Sequence, residues 1–266
     1  MRTSVVIALV TLTACVSEQA AMLSDTVGQT STGGTTALSG AGNAPGSSQE
    51  IYIDSVTAEN PLVVYGRART FENNVQVRVL DARGELIAHG FTTSVGEIGH
   101  HNPFVMHIWI SRSPGDSVIV ESFEYSAKDG SVRSLTADTV AFPVENTTLT
   151  LDFPTSECTS TVTVRRSAPR TVALARLLTE ALVAGPDSSE ASSGATSPFP
   201  RGSRVESVIL RQGELTVDFN ERLQNVGGSC AAQAIRTSVT RTLSRLPAVR
   251  RVIITAGGSE ELALQP

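Results

Sequence analysis

Lysine is almost missing from this 266-residue chain: Lys128 stands alone among 21 basic residues, the others being arginine. With 26 acidic residues the formal charge is -5. A protein that displaces counterions from a phosphate backbone needs a basic face, so this balance excludes a general nucleic-acid binder. It equally excludes adsorption to an anionic membrane by charge alone. Aromatic side chains are scarce at 5%, with one tryptophan, Trp109. Cysteines number three, too few for a disulfide-built scaffold. No apolar run approaches the roughly 20 residues that a helix needs to span a hydrocarbon core. The 40% apolar content is still enough to bury real cores, and the length suits one or two domains of about 100–200 residues each.

The N-terminus carries its own signal. Arg2 precedes the short apolar stretch Val5 to Leu12, and Leu12-Thr13-Ala14-Cys15 follows. This is the length of a cleavable export signal, not of a membrane span. The small residues before Cys15 resemble a bacterial lipobox, which implies cleavage after residue 14 and lipidation of Cys15 with palmitate-type chains. An ordinary secretory signal with an incidental cysteine is the alternative. Two or three acyl chains, at about 0.8 kcal/mol per buried methylene, anchor a protein nearly permanently. The expected location is therefore membrane-anchored and extracytoplasmic. Val16, in place of an aspartate, resembles the pattern of lipoproteins passed to an outer membrane.

Residues 15–48 are rich in Ser, Thr, Gly and Ala and poor in large apolar side chains. Burial cannot offset the ordering entropy of such a stretch, so it reads as a disordered tether with a coil span of roughly 30 Å. Once Cys15 is lipidated, Cys158 and Cys230 remain as an even pair in an oxidising compartment, where they are expected to form a disulfide. Two buried free thiols are the other reading. Neither cysteine has a second cysteine or a histidine at zinc-ligand spacing.

From residue 49 to 145 the pattern is β throughout. Ile51, Ile53 and Val56 lead to an Asn60-Pro61 turn, and Val75, Val77 and Val79 alternate in phase. Asp81-Ala82-Arg83-Gly84, Ser113-Pro114-Gly115-Asp116 and Lys128-Asp129-Gly130 are turn sequences. Short strands punctuated about every ten residues predict an all-β sandwich. Pro61 to Val75 (PLVVYGRARTFENNV), then Asp81-Ala82-Arg83-Gly84 and Asn102-Pro103-Phe104, resemble the immunoglobulin-like domain of bacterial spore germination proteins. The resemblance implies a sandwich without known catalytic residues and with a binding role. His89, His100, His101 and His107 lie in this region. Adjacent side chains on a strand point to opposite faces, and no carboxylate or cysteine has matching spacing, so they read as solvated loop histidines, not metal ligands.

From 147 to 266 the period changes. Leu149 and Leu151, then Thr161 to Arg166, are strand candidates. Val172, Leu174, Ala175, Leu177, Leu178, Ala181 and Leu182 form a helical stripe, with Pro169 suited to a first turn and Gly185-Pro186 to a stop. Strands over Val205 to Leu210 and Leu215 to Phe219 follow. Ser229 then reads as the N-cap of a second helix running to Leu246, before a last strand at Val249 to Ile254. The order β-α-β-β-α-β predicts an α+β domain with two helices on one face of a small mixed sheet. Arg165-Arg166 after a strand, the Leu-Leu helix ending in Gly185-Pro186, Phe199-Pro200-Arg201-Gly202 and Gly227-Gly228-Ser229-Cys230 resemble the sporulation and spore germination domain called GerMN. Against that pattern, Pro186 to Thr196 is long and reads as a disordered insertion. The resemblance implies place and architecture more than activity, since members occur in sporulation proteins and in envelope lipoproteins of bacteria that form no spores.

Candidate binding residues in this region are Arg165, Arg166, Asp218, Gly227 and Ser229. As a catalytic carboxylate Asp218 would need a second acid or a base, with only Glu214 and Glu221 nearby; a turn-holding role fits it better. Gly227-Gly228-Ser229 before a helix could cradle an anion, although ordinary capping fits as well. No catalytic residue, metal or cofactor is expected. The reading that results is a non-catalytic envelope lipoprotein whose two modules bind cell-wall glycan or an envelope protein. The alternatives are an enzyme acting on peptidoglycan and a structural subunit that oligomerises through sheet edges.

Overall fold

Period-two alternation becomes seven strands in the first domain. They are β1 (Ile51–Thr57), β2 (Leu62–Ala68), β3 (Asn74–Asp81), β4 (Leu86–Thr93), β5 (Asn102–Ile108), β6 (Ser117–Tyr125) and β7 (Val132–Ala141). The computed structural model describes residues 49–142, 145–158 and 160–265. The expected lipidation site Cys15, the expected signal segment 1–14 and the expected tether 15–48 lie outside them. The described residues all fall within one compact unit.

Two antiparallel sheets, β1-β2-β5 and β4-β3-β6-β7, face each other as a sandwich. The in-phase Val75, Val77 and Val79 of β3 point inward with Val118 and Val120, against Leu62, Val64 and Phe104 of the opposite sheet. Gly66 of β2 lies directly across from Phe104, and a Cβ there would collide with the Phe104 ring and the Tyr52 carbonyl. Glycine is what lets that ring cross the strand. In the β3–β4 turn, Asp81 Oδ1 accepts the backbone N–H groups of Glu85 (2.8 Å) and Arg83 (2.9 Å). These bonds, with the Arg83 guanidinium, hold its carboxyl below the usual carboxylate range.

The second domain consists of β8 (Asn146–Pro154), β9 (Thr161–Pro169), α1 (Leu174–Ala184), α2 (Ser188–Ser192), β10 (Val205–Arg211), β11 (Glu214–Phe219), α3 (Ser229–Leu243) and β12 (Arg251–Ala256). It is an α+β domain with a small mixed sheet. β11 runs antiparallel to β10 and parallel to β12, and α3 supplies the crossover that a parallel pair requires. Leu149, Leu151 and Phe153 of β8 pack with Leu177, Ala181 and Leu182 of α1, Ile235 and Val239 of α3, and Val217 and Phe219 of β11.

Four features differ from the sequence expectation. β8 and β9 pair as a separate two-stranded ribbon outside the mixed sheet, so the order is ββααββαβ. Pro169 ends β9 opposite Asn146 and opens no helix; α1 starts at Leu174, leaving Val172 fully exposed. The N-cap of α3 is Gly228, at φ 127°, with no side-chain cap, so Ser229 is the first helical residue. Within the stretch expected to be disordered, α2 forms behind a capping box in which Asp187 and Glu190 each accept the other's backbone N–H at 2.8 Å.

Candidate functional site

The two domains meet along the segment that follows β5. Asn60 is buried there: its Nδ2 donates to the carbonyls of Ile110 (3.1 Å) and Pro169 (2.8 Å), and its Oδ1 accepts the Ile110 N–H (3.1 Å). The Ser113 N–H donates to the Ser167 carbonyl at 2.7 Å. Trp109, the residue directly after β5, packs against the core of the second domain. Side chains and backbone of one domain thus complete the hydrogen bonding of the other.

Beside this seam lies a cleft of about 320 Å³, walled by β4 and the end of β5 on one side and by α1 and the start of β10 on the other. Pockets at domain boundaries are common places for ligands. Arg176 of α1 organises it. Its Nε donates to Glu180 Oε1 at 2.8 Å one helical turn later, and Nη1 donates to the Glu206 carbonyl at 3.0 Å. Its Nη2 donates to the Val205 carbonyl, and its guanidinium carbon sits 5.9 Å from the centre of the Trp109 ring. Helix, sheet and tryptophan are thereby tied by one side chain.

Burial pushes the Glu180 carboxyl above its ordinary range; Arg176 opposes this incompletely, and the charge of Glu206 adds to it. On the facing wall, burial and the Arg78 charge pull the His89 imidazole of β4 below its ordinary value, and its ring is stacked 6.2 Å from that of Phe123. Phe91 stays half exposed, with the Arg204 guanidinium 5.1 Å over its ring. His107 of β5 also faces the cleft. Aromatic faces, arginine donors and a buried carboxyl within one concavity suit a polar, ring-bearing ligand such as a sugar.

The residues singled out in the sequence are placed elsewhere and do not converge. Arg166 is buried in β9, where Nε donates to Glu190 Oε1 (3.1 Å) and Nη2 donates to Glu190 Oε2 and to the Gly185 carbonyl (3.1 Å). Its neighbour Arg165 projects to the opposite, exposed face of the ribbon. Asp218 accepts from Thr255 Oγ1 (2.6 Å) and from the Gly258 N–H (2.9 Å), and so holds the turn after β12. Glu214 lies about 13 Å further along β11 and pairs with Arg251. Gly227 and Ser229 lie at the start of α3. Cys158 and Cys230 form a disulfide, with Cα atoms 5.6 Å apart, that fixes this uncapped helix end to the β8–β9 turn. His100 and His101 sit in the exposed loop before β5, whereas His89 and His107 are strand residues, contrary to the loop expectation for all four.

Sequence reasoning passed over a buried, paired charge in this domain. Asp152 of β8 is fully buried, yet both its oxygens accept from Arg245, two residues past the end of α3, at 2.8 and 3.0 Å, and Oδ1 accepts from Thr163 Oγ1 at 2.6 Å. Its backbone N–H donates to Thr242 Oγ1 (2.9 Å), and its carbonyl accepts from Ser238 Oγ (2.5 Å). An aspartate out of phase with Leu149, Leu151 and Phe153 reads as a solvent-facing residue. Only the docking of α3 reveals its partners.

Residues 52–131 match the family described as the immunoglobulin-like domain of bacterial spore germination. Residues 139–262 match the family described as sporulation and spore germination. No curated protein matches the chain. Among solved structures, the tandem GerMN domains of the sporulation protein GerM from Bacillus subtilis align at 20% identity over 43% of this chain and 40% of theirs, with a TM-score of 0.35. The first GerMN domain of the same protein aligns at 22% identity over 41% of this chain and 84% of that one, again with a TM-score of 0.35. The chain thus spans about two fifths of the tandem structure's length, and likenesses this loose carry no argument about the fold. From the family matches, the chain joins an immunoglobulin-like domain of the bacterial spore germination family to a domain of the sporulation and spore germination family, in that order.

Proposed function

We propose that this protein is a non-catalytic lipoprotein of the cell envelope, held to a membrane through Cys15 and the 15–48 tether, whose two domains form one binding head for cell-wall glycan. The observation that carries the reading is the cleft at the domain seam. Phe91, His107, Arg204 and the Arg176–Glu180 pair give it aromatic and hydrogen-bonding chemistry together. The kinship of both domains with sporulation and germination proteins supports a role at the envelope. The lipobox-like Leu12-Thr13-Ala14-Cys15 supports the anchor.

The test is co-sedimentation of the soluble fragment 49–266 with purified sacculi. The wild-type fragment is expected in the pellet, and Phe91→Ala with His107→Ala, at two exposed wall positions, is expected to leave it in the supernatant. A fragment that stays soluble with sacculi but is captured from envelope extract by a protein replaces the glycan with a protein partner. Peptidoglycan hydrolysis, the second reading, has one observation in its favour: the carboxyl of Glu180 is raised, as a general acid requires. Release of soluble muropeptides by the fragment, abolished in Glu180→Gln, is the result that supports it.

A further inference from the structure

A second concavity, of about 270 Å³, lies in the second domain between the β8–β9 ribbon and helices α1 and α3. It shares no residue with the cleft at the domain seam. One wall is the outer face of the ribbon, where Thr150 and Arg165 are directly paired across the strands and Thr148 is two residues along on the same face. The Thr148 and Thr150 hydroxyls and the Arg165 guanidinium have no hydrogen-bond or ion-pair partner among the described residues. The other wall is the end of α3, with Thr242, and the turn that follows it, with Arg245.

Charge does not balance here. The single negative charge of Asp152 is already met by the two-pronged contact from Arg245, and Arg241 stands 4.0 Å from the same carboxylate. Two guanidinium groups therefore meet one buried carboxylate, and the third arginine, Arg165, has no carboxylate partner among the described residues. A guanidinium fork beside hydroxyl donors is suited to an oxyanion. The floor is apolar: Leu178 from α1 is nearly fully buried, and Leu246 follows α3. A bare inorganic anion would leave that floor uncovered. The volume is below the roughly 300–1,000 Å³ of sites for drug-sized ligands, so the occupant is small.

We propose that this groove binds the C-terminal carboxylate of a short peptide with small apolar final residues, the carboxylate meeting Arg165 and the threonine hydroxyls and the side chains covering the leucines. The proposal is independent of glycan binding at the seam, because the two sites have no residue in common.

The test is calorimetric titration of the full chain in detergent micelles with alanyl-alanine, with its C-terminal amide and with inorganic phosphate. The free acid is expected to bind at least about tenfold more tightly than the amide or phosphate. Arg165→Gln, at an exposed strand position, is expected to remove most of that preference, Thr148→Val with Thr150→Val to weaken the acid severalfold, and Phe91→Ala to leave it unchanged. Equal binding of acid and amide, no binding of the acid, or an unaltered Arg165→Gln variant overturns the proposal. Phosphate binding more tightly than the dipeptide overturns it as well and marks a site for phosphate esters.

Discussion

Asn60 of the first domain donates to the Pro169 carbonyl of the second at 2.8 Å, while the same amide group satisfies both the N–H and the C=O of Ile110. One side chain therefore serves three buried backbone groups from two domains. Asn60→Ala strands all three away from water, at about 1–3 kcal/mol for each unsatisfied group. Urea unfolding is expected to show a loss of about 3 kcal/mol or more. Asn60→Asp should recover only part of it, because a carboxylate accepts from Ile110 but cannot donate to the two carbonyls.

The Asp152–Arg245 contact predicts an asymmetry between its partners. Arg245→Ala leaves a fully buried carboxylate with Thr163 and the exposed Arg241 4.0 Å away, and is expected to cost about 3–5 kcal/mol. Asp152→Ala removes the buried charge, and the half-exposed Arg245 can turn to water, so the loss should be smaller. Thermal denaturation of the two variants side by side checks the order.

Glu190 both closes the capping box of α2 and pairs with the buried Arg166. Glu190→Ala is expected to destabilise the protein by about 3–5 kcal/mol, as the loss of one partner of a buried pair does. Asp187→Ala removes only the cap and should cost about 1 kcal/mol. Hydrogen exchange in residues 186–196 should rise in both and spread to β9 only in the first.

The pH dependence of Glu180 has a definite sign. Because its folded pKa lies above the ordinary 4.5, the folded protein holds a proton that the unfolded chain has already released. Its contribution to stability is therefore greatest below pH 4.5 and falls as pH rises through the folded value. Glu180→Gln does not titrate. The midpoint of thermal unfolding of this variant, relative to wild type, should rise between pH 4 and pH 7.5; a difference that stays flat or falls contradicts the assignment.

The Cys158–Cys230 bridge spans 72 positions, for which loop-closure entropy gives roughly 4 kcal/mol as an upper figure. Cys158→Ser with Cys230→Ser is expected to lower the urea midpoint accordingly, and protease cleavage near residue 229 should accelerate as the uncapped start of α3 frays.

Strand periodicity made the sandwich legible, because Val75, Val77 and Val79 each face one core. The same alternation made β11 legible, and a helical stripe through Leu174, Leu177, Leu178, Ala181 and Leu182 did so for α1. What escaped was set by tertiary pairing. The β8–β9 ribbon alternates like any strand pair, and nothing local says that it stays out of the mixed sheet. Residues 186–196 look featureless by composition, yet Asp187 and Glu190 hold the spacing of a capping box and could have been read. The cleft at the seam combines β4, β5, α1 and β10 from two domains, so no motif contains it; the i,i+4 spacing of Arg176 and Glu180 was the sole local sign.

The most direct test of the envelope-binding account places a photo-activated crosslinker at Phe91 of the full-length chain in living cells, with a control crosslinker at Leu262, an exposed residue outside the cleft. The account predicts adducts with cell-wall glycan at position 91 and none at position 262. Adducts with cytosolic proteins alone, or equal glycan labelling from both positions, would contradict it.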